Sequence, residues 1–281
     1  MALPQPRDEQ VGFRIAPPGW SPDSPNPFTP DGAYDSGWRC FQFIDADDDR
    51  RVTGRTEGGL LHCTVGRRCD GLQERLADLL RYEFAYGRTV IVACPPDVDA
   101  RGLVDDALAR WPSSQGARAD DPRWVVHSTS TANYGAIRAC GELRCLSLLG
   151  REMEADAGVG LRDLGDPVEY SDYVMLGRID SIGPEYVVAS QQAGKLLPKP
   201  DAVYRPGVRL YFDCHRIVRD GLAVRDGLHE IKVRHSLPLD PYLVLAVSVA
   251  DVDPAGEAGQ WTTSEFLAVA NAHFQRHRGS E

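Results

Sequence analysis

The chain has 281 residues, of which 42% are hydrophobic and 26% charged, with a formal net charge of -10. That length holds one large domain or two of ordinary size, each with a useful core. The acidity argues against sequence-blind attachment to nucleic acid, which needs a basic face, while leaving room for a local basic groove.

The opening MALPQPRDEQ has no apolar stretch behind a basic one, so no secretory signal is expected. The longest apolar run, Tyr242 to Ala250, is too short to span a bilayer, so no membrane partner is expected. The seven cysteines are odd in number and form no CxxC pair. They read as reduced thiols of a cytoplasmic protein, several of them core fillers.

Residues 1–36 are rich in Pro, Gly, Asp and Ser and read as an extended surface arm, with Trp20 and Phe28 as anchors. WRCFQFI and GLLHCTV then read as strands, with a charged turn from Asp45 to Arg51 between them. Gly71 to Tyr86 has helical spacing, with Leu72, Leu76, Leu79, Leu80 and Phe84 on one side. TVIVAC reads as a buried strand, and Asp99 as the N-cap of a helix running to about Trp111. This is an N-terminal α/β region.

The polar stretch 112–122, PSSQGARADDP, is the best linker. It divides the chain into an arm (1–36), an α/β region (37–118) and a C-terminal domain (119–281), an α+β chain overall. The C-terminal domain starts with a strand, WVVHST, and a helix from Ala132 to Cys140 stopped by Gly141. LRCLSLL, DYVMLGRI and EYVVAS read as strands, and 150–171 as a charged, loop-rich insertion. VRLYFD leads into a short helical turn, and LAVRD, HEIKV and YLVLAVSV are short strands separated by DG turns and a Pro. The chain closes on an amphipathic helix from Ser264 to His277, with Ser264 as cap and Phe266, Leu267, Ala270 and Phe274 inward.

Two segments carry chemistry. One is His127-Ser128-Thr129-Ser130, a strand end followed by a helix, Gly141-Glu142-Leu143, and Cys145-Leu146-Ser147. The other runs through Arg205-Pro206-Gly207, Leu210-Tyr211-Phe212-Asp213, Asp220-Gly221 and Pro241-Tyr242-Leu243. A His at a strand end can hydrogen-bond a ribose hydroxyl, Ser and Thr hydroxyls can hold an amide, and an Arg offers a fork of donors to a phosphate. In their residues and order these segments resemble the RNA 2′-phosphotransferase family of the ADP-ribosyltransferase superfamily, over roughly residues 124–250.

The resemblance implies an ADP-ribosyltransferase-like, NAD-binding C-terminal domain. It implies transfer of an RNA 2′-phosphate to the ADP-ribose of NAD, with release of nicotinamide. His127, Ser128, Thr129, Ser130 and Ser147 would hold NAD, and Arg205 would contact a phosphate. The chain differs from the family at several points. Cys145 stands where the family has His. No Leu-Arg-His-X-Pro string occurs, Leu79-Leu80-Arg81-Tyr82 being nearest. Gly54-Arg55-Thr56-Glu57-Gly58-Gly59 is a distant echo of the family's Arg-Ala-Asn-Gln-Gly-His-Ser.

A second reading is ADP-ribosylation of a nucleic-acid base or a protein side chain. The DNA-modifying toxins of the superfamily carry a late catalytic Glu, and Glu230 in HEIKVRHSLP has that context. Asp172-Tyr173-Val174 resembles the Asp-Tyr-Val ahead of it, and Arg151 or Arg162 would bind NAD. A third reading is an inactive fold used as a binding module. Each residue also has a plain alternative: Ser128 and Thr129 as helix caps, Arg205 as a solvated cation, and Glu230 as the outward residue of a strand that turns Ile231 and Val233 inward and Lys232 and Arg234 outward. Asp45, Asp47 and Asp49 have the opening spacing of a calcium loop but lack its Gly and Glu. His62, Cys63 and Cys69 lack a second pair at zinc spacing, so no metal site is expected.

Overall fold

Alternating apolar residues in the strands, and a three-to-four-residue apolar spacing in the helices between them, give the N-terminal half a sheet with helices on one face. The computed structural model describes residues 12–47, 51–69, 71–111, 116–119, 121–150, 167–253 and 260–279 (Arg51 by its backbone alone). It falls into two units. The first is Met1–Ser114 with Arg225–Leu228, the second Gln115–Val224 with His229–Glu281. The class is α+β. Among the described residues no helix is long and apolar enough to cross a membrane.

The first unit contains β1 (Gly12–Ile15), β2 (Trp38–Phe43), β3 (Arg51–Arg55), β4 (Leu61–Val65), α1 (Leu72–Ala85), β5 (Thr89–Ala93) and α2 (Ala100–Arg110). The sheet order is β1-β5-β2-β4-β3. β1, β5, β2 and β4 are parallel to their neighbours, and β3 closes the edge antiparallel to β4. One face packs Phe41, Cys63 and Val65 under Leu76, Leu80, Val104 and Ala107 of the two helices. The other packs Cys40, Leu60 and Ile91 under Trp20, Tyr34 and Trp38. Asp99 caps α2 by accepting from the Gly102 amide, as its position predicts.

Two readings of this half change. Within the proposed arm, residues 12–15 are an edge strand, because Phe13 and Ile15 find a place on the helix-covered core. Trp20 and Phe28 do anchor residues 16–36 of the arm: Trp20 donates to the Pro25 carbonyl at 3.1 Å, and Phe28 stacks on Trp38 with ring centroids 6.1 Å apart. The second change is β3, where Arg-Val-Thr-Gly-Arg extends the charged turn into a strand. Val52, Thr53 and Arg55 are exposed, and β3 is held by its pairing with β4 alone, as a charged strand at a sheet edge can be.

The second unit contains β6 (Trp124–Thr129), α3 (Thr131–Cys140), β7 (Glu142–Arg144), β8 (Tyr173–Arg178), α4 (Gly183–Ala193), β9 (Val203–Tyr204), β10 (Val208–Asp213), α5 (Cys214–Arg219), β11 (Ala223–Val224), β12 (Ile231–Arg234), β13 (Ser236–Pro238), β14 (Leu243–Ser248), α6 (Val249–Val252), β15 (Trp261–Thr262) and α7 (Thr263–Arg278). Its main sheet is antiparallel, in the order β11-β12-β8-β6-β10-β14. Alternation splits its core. Val125, Leu176, Leu210 and Phe212 face Ile217 and Val218 of α5. Val126 and Tyr211 face Val188 of α4 and Phe266, Ala270 and Phe274 of α7.

Four readings change here. EYVVAS is not a strand but the middle of α4, which has Pro184 in its first turn and stops at left-handed Gly194. LRCLSLL is a strand only over Glu142–Arg144, which pairs with β13. Left-handed His235 turns the partner chain away, and its carbonyl takes the Cys145 amide at 2.7 Å, so Leu146–Leu148 curls into a 3-10 turn. The cap of α7 is Thr262 rather than Ser264, in a reciprocal box with Glu265. Lys232 is inward, not outward: it is fully buried, with Nζ 4.0 Å and 4.6 Å from the Tyr170 and Tyr173 ring centroids. The insertion with Arg151 and Arg162, and the third residue of the acidic turn, Asp49, lie outside the described residues.

None of the seven cysteines is in a disulfide; Cys140 is exposed, and Cys40, Cys63, Cys145 and Cys214 are buried. In the first unit, Gly227 has φ 74, and a Cβ there would lie 2.2 Å from the Arg75 carbonyl oxygen and 2.9 Å from Leu79. Gly227→Ala is therefore expected to destabilise this unit by about 2 kcal/mol or more. An unchanged urea midpoint would show that the close approach does not exist.

Candidate functional site

The two chemistry-bearing segments meet at one end of β6. There β6 pairs antiparallel with β10, Thr129 opposite Val208. Just before Val208 the chain passes so close to the β6–α3 corner that a Cβ on Gly207 would lie 1.8 Å from the Thr129 carbonyl oxygen and 2.8 Å from the Ser130 Cα. Gly207 is thus required by contact. Ser130 caps α3, accepting from the Asn133 amide at 3.2 Å. α3 has no fully buried residue; Tyr134 and Ile137 alone of its side chains pack on the core.

Arg205 stands in the loop between β9 and β10 with its side chain exposed. Its backbone is gripped by the Gln192 carboxamide of α4, which donates to the Arg205 carbonyl at 2.6 Å and accepts from the Arg205 amide at 3.0 Å.

The four residues of the His-Ser-Thr-Ser string do not act on one side. Side chains alternate along β6, so His127 and Ser128 face opposite surfaces of the sheet. His127 is half-buried and Nδ1 lies 3.2 Å from the Met175 carbonyl. A carbonyl only accepts, so Nδ1 carries the proton and Nε2 is left as an acceptor, suited to a ribose hydroxyl. Burial pushes the His127 pKa below 6.5, against the opposing influence of that bond and of Glu185.

Ser128 is buried and points to the α4 side. Its hydroxyl donates to Glu185 Oε1 at 2.5 Å and accepts from Arg209 Nη1 at 3.4 Å. Arg209 Nη1 also reaches Glu185 Oε1 at 2.9 Å, and the Tyr204 hydroxyl donates to Glu185 Oε2 at 2.5 Å. Arg209 Nη2 donates to the Ile179 and Ser181 carbonyls. Burial first, and then the Glu185 charge, raise the Tyr204 pKa far above its usual value, so the phenol stays a donor. Glu185, Arg209 and Tyr204 carry no motif. The available signal is an Arg in the middle of an apolar strand, which demands a buried anion.

Of the other predicted residues, Ser147 and Glu230 stand apart from this corner, and Thr129 belongs to it. Thr129 is buried on the His127 side. Ser147 lies in the exposed 3-10 turn, its hydroxyl 3.2 Å from the Cys145 thiol. Glu230 is half-buried and immediately precedes β12, which β8 separates from β6. In the first unit, Arg81 donates to the Trp111 and Leu108 carbonyls at the end of α2, and Tyr82 is buried. Arg55 closes the β3–β4 turn on the Gly59 carbonyl. An open hollow lined by Tyr34, Asp35 and Trp38 holds none of the predicted residues. Among the described residues no His, Cys, Asp and Glu cluster suits a metal ion.

Compared with known proteins, the chain matches no family model, no curated protein and no solved structure.

Glu185→Ala would leave the Arg209 guanidinium buried without its counter-charge, with an expected loss of about 3–5 kcal/mol in chemical denaturation. Tyr204→Phe, which removes one donor to a charged group, is expected to lose about 1.5–3 kcal/mol. Losses below about 0.5 kcal/mol in both would place these side chains in solvent. His127 has its own signature. Because folding lowers its pKa, its share of stability is present above about pH 6.5 and is lost as pH falls through the folded value. An NMR titration of the ring should give a midpoint below 6.5; a midpoint at or above it would contradict the half-buried, Nδ1-protonated imidazole.

Proposed function

We propose that the second unit is an NAD-consuming transferase with an ADP-ribosyltransferase-like fold, binding the dinucleotide at the corner formed by His127–Ser130 and Arg205–Gly207. The observation that carries this reading is the approach of Gly207 to Thr129 and Ser130, which joins at one point two segments about eighty residues apart in sequence. Nε2 of His127 accepts from a ribose hydroxyl. Ser130 and the following helical turn offer hydroxyl and amide groups to the substrate. Arg205 neutralises a phosphate. Ser128 serves from behind, anchored on Glu185.

In the first step, an anionic phosphate oxygen, or a nitrogen or oxygen of a base or side chain that gives up its proton to solvent, attacks C1′ of the nicotinamide ribose. The C–N glycosidic bond breaks, and nicotinamide departs as a neutral ring with the bonding pair. A phosphate so attached leaves the RNA only when a ribose hydroxyl next attacks phosphorus and the RNA 2′-oxygen departs with the bonding pair and takes up that hydroxyl's proton. Catalysis then consists of holding NAD bent, holding the acceptor close and favouring the oxocarbenium-like charge distribution.

An RNA 2′-phosphate is the acceptor that the family resemblance implies. A second reading, with a base or a protein side chain as acceptor and Glu230 steadying the ribose cation, is favoured by one observation. Arg81 and Arg55, the nearest counterparts of the family's phosphate-binding positions, already serve backbone carbonyls.

Nicotinamide release from NAD by the full chain, measured by chromatography with 2′-phosphorylated RNA, unmodified nucleic acid or protein in turn, tests this directly. Release with the first is the expected result, and release with only the others selects the second reading. Arg205→Ala is expected to lower release at least about tenfold while melting as wild type does. NAD binding without release would make the unit a binding module. The absence of both would end the proposal.

A further inference from the structure

We infer that Gln192 is a positioning residue for Arg205; the consequence for NAD rests on the reading above, while the geometry does not. Arg205 is the exposed cation of the candidate corner, at the end of a side chain with several free torsions. What it can reach is decided by where its backbone is held. That backbone is fixed from three directions. Next to it, Tyr204 is tied by its hydroxyl to Glu185 of α4. Two residues on, Gly207 lies against Thr129 and Ser130. At Arg205 itself, the amide and the carbonyl are both taken by the Gln192 carboxamide.

The chemistry of that last contact is specific. One side chain donates to a carbonyl and accepts from the amide of the same residue, as a neighbouring strand would. A carboxamide does both; a carboxylate has no donor and would face the Arg205 carbonyl with its own charge. Glu185 and Gln192 lie about two turns apart on α4 and so share a face. α4 is therefore a splint with two attachment points. Glu185 holds Ser128 and Tyr204, and Gln192 holds Arg205. Fixing the loop in advance removes the ordering entropy that a free arginine would lose on meeting a phosphate, so the benefit appears in ligand affinity.

A residue that merely stiffens a surface loop would change stability and nothing that depends on Arg205. A double-mutant cycle separates the two roles. NAD affinity of the full chain is measured by calorimetry for wild type, Gln192→Ala, Gln192→Glu, Arg205→Ala and the Gln192→Ala/Arg205→Ala pair. Melting temperatures and hydrogen exchange of the Arg205 amide accompany it. Gln192→Ala and Gln192→Glu are expected to speed exchange at Arg205 and to weaken NAD binding, by about tenfold at most. Gln192→Ala should weaken it no further once Arg205 is alanine. Equal weakening in both backgrounds, or an Arg205 amide that exchanges as before, overturns the inference. Should wild type have no affinity for NAD, the NAD reading falls, and the exchange comparison alone decides the clamp.

Discussion

The second unit depends on one buried carboxylate. Glu185 is 1% exposed and Arg209 fully buried, an arrangement that water-removal alone would forbid. It is tolerated because the carboxylate accepts from a serine, a tyrosine and the arginine at once, and because Nη2 of the guanidinium reaches two carbonyls, leaving Nε alone of its nitrogens without a partner. The bonds join β6, α4, β9 and β10. An apolar replacement of the same volume could be as stable. It would not fix which residue of β6 stands opposite α4. What the ionic cluster adds is a set of directional bonds from Ser128 of β6 and Tyr204 of β9 to one residue of α4.

Much of the fold was legible in the sequence. The strands at Trp38, Thr89, Trp124, Val208 and Leu243 are bounded apolar runs, and the helices at Leu72 and Ala100 show one apolar face. Asp99 and Gly141 mark ends by chemistry that works locally. α4 was misread because Tyr186-Val187-Val188 carries β-branched and aromatic residues, and tertiary contacts outweigh that weak preference. Its true marks were Pro184 at the start and Gly194 at the stop. Lys232 was placed outward by alternation, a rule that assumes one wet face; aromatic rings cover its side of the sheet.

The candidate site was legible as two segments but not as a geometry. The His-Ser-Thr-Ser string reads as one gripping surface, whereas extended backbone sends His127 and Ser128 to opposite faces. The residues that hold the corner together, Glu185, Gln192, Tyr204 and Arg209, belong to no motif. Their partners are distant in sequence, Ser128 lying 57 residues from Glu185. Gly207 was legible as part of Arg-Pro-Gly, but its reason, a carbonyl where a Cβ would be, exists only in three dimensions.

Under the proposed function, one dinucleotide would sit where the end of β6 meets the loop before β10. A crystal structure of the full chain grown with a non-hydrolysable NAD analogue tests it most directly. The analogue's ribose is expected within hydrogen-bonding distance of His127 Nε2 and its diphosphate within reach of the Arg205 guanidinium. An analogue bound elsewhere, with that corner empty, would contradict it.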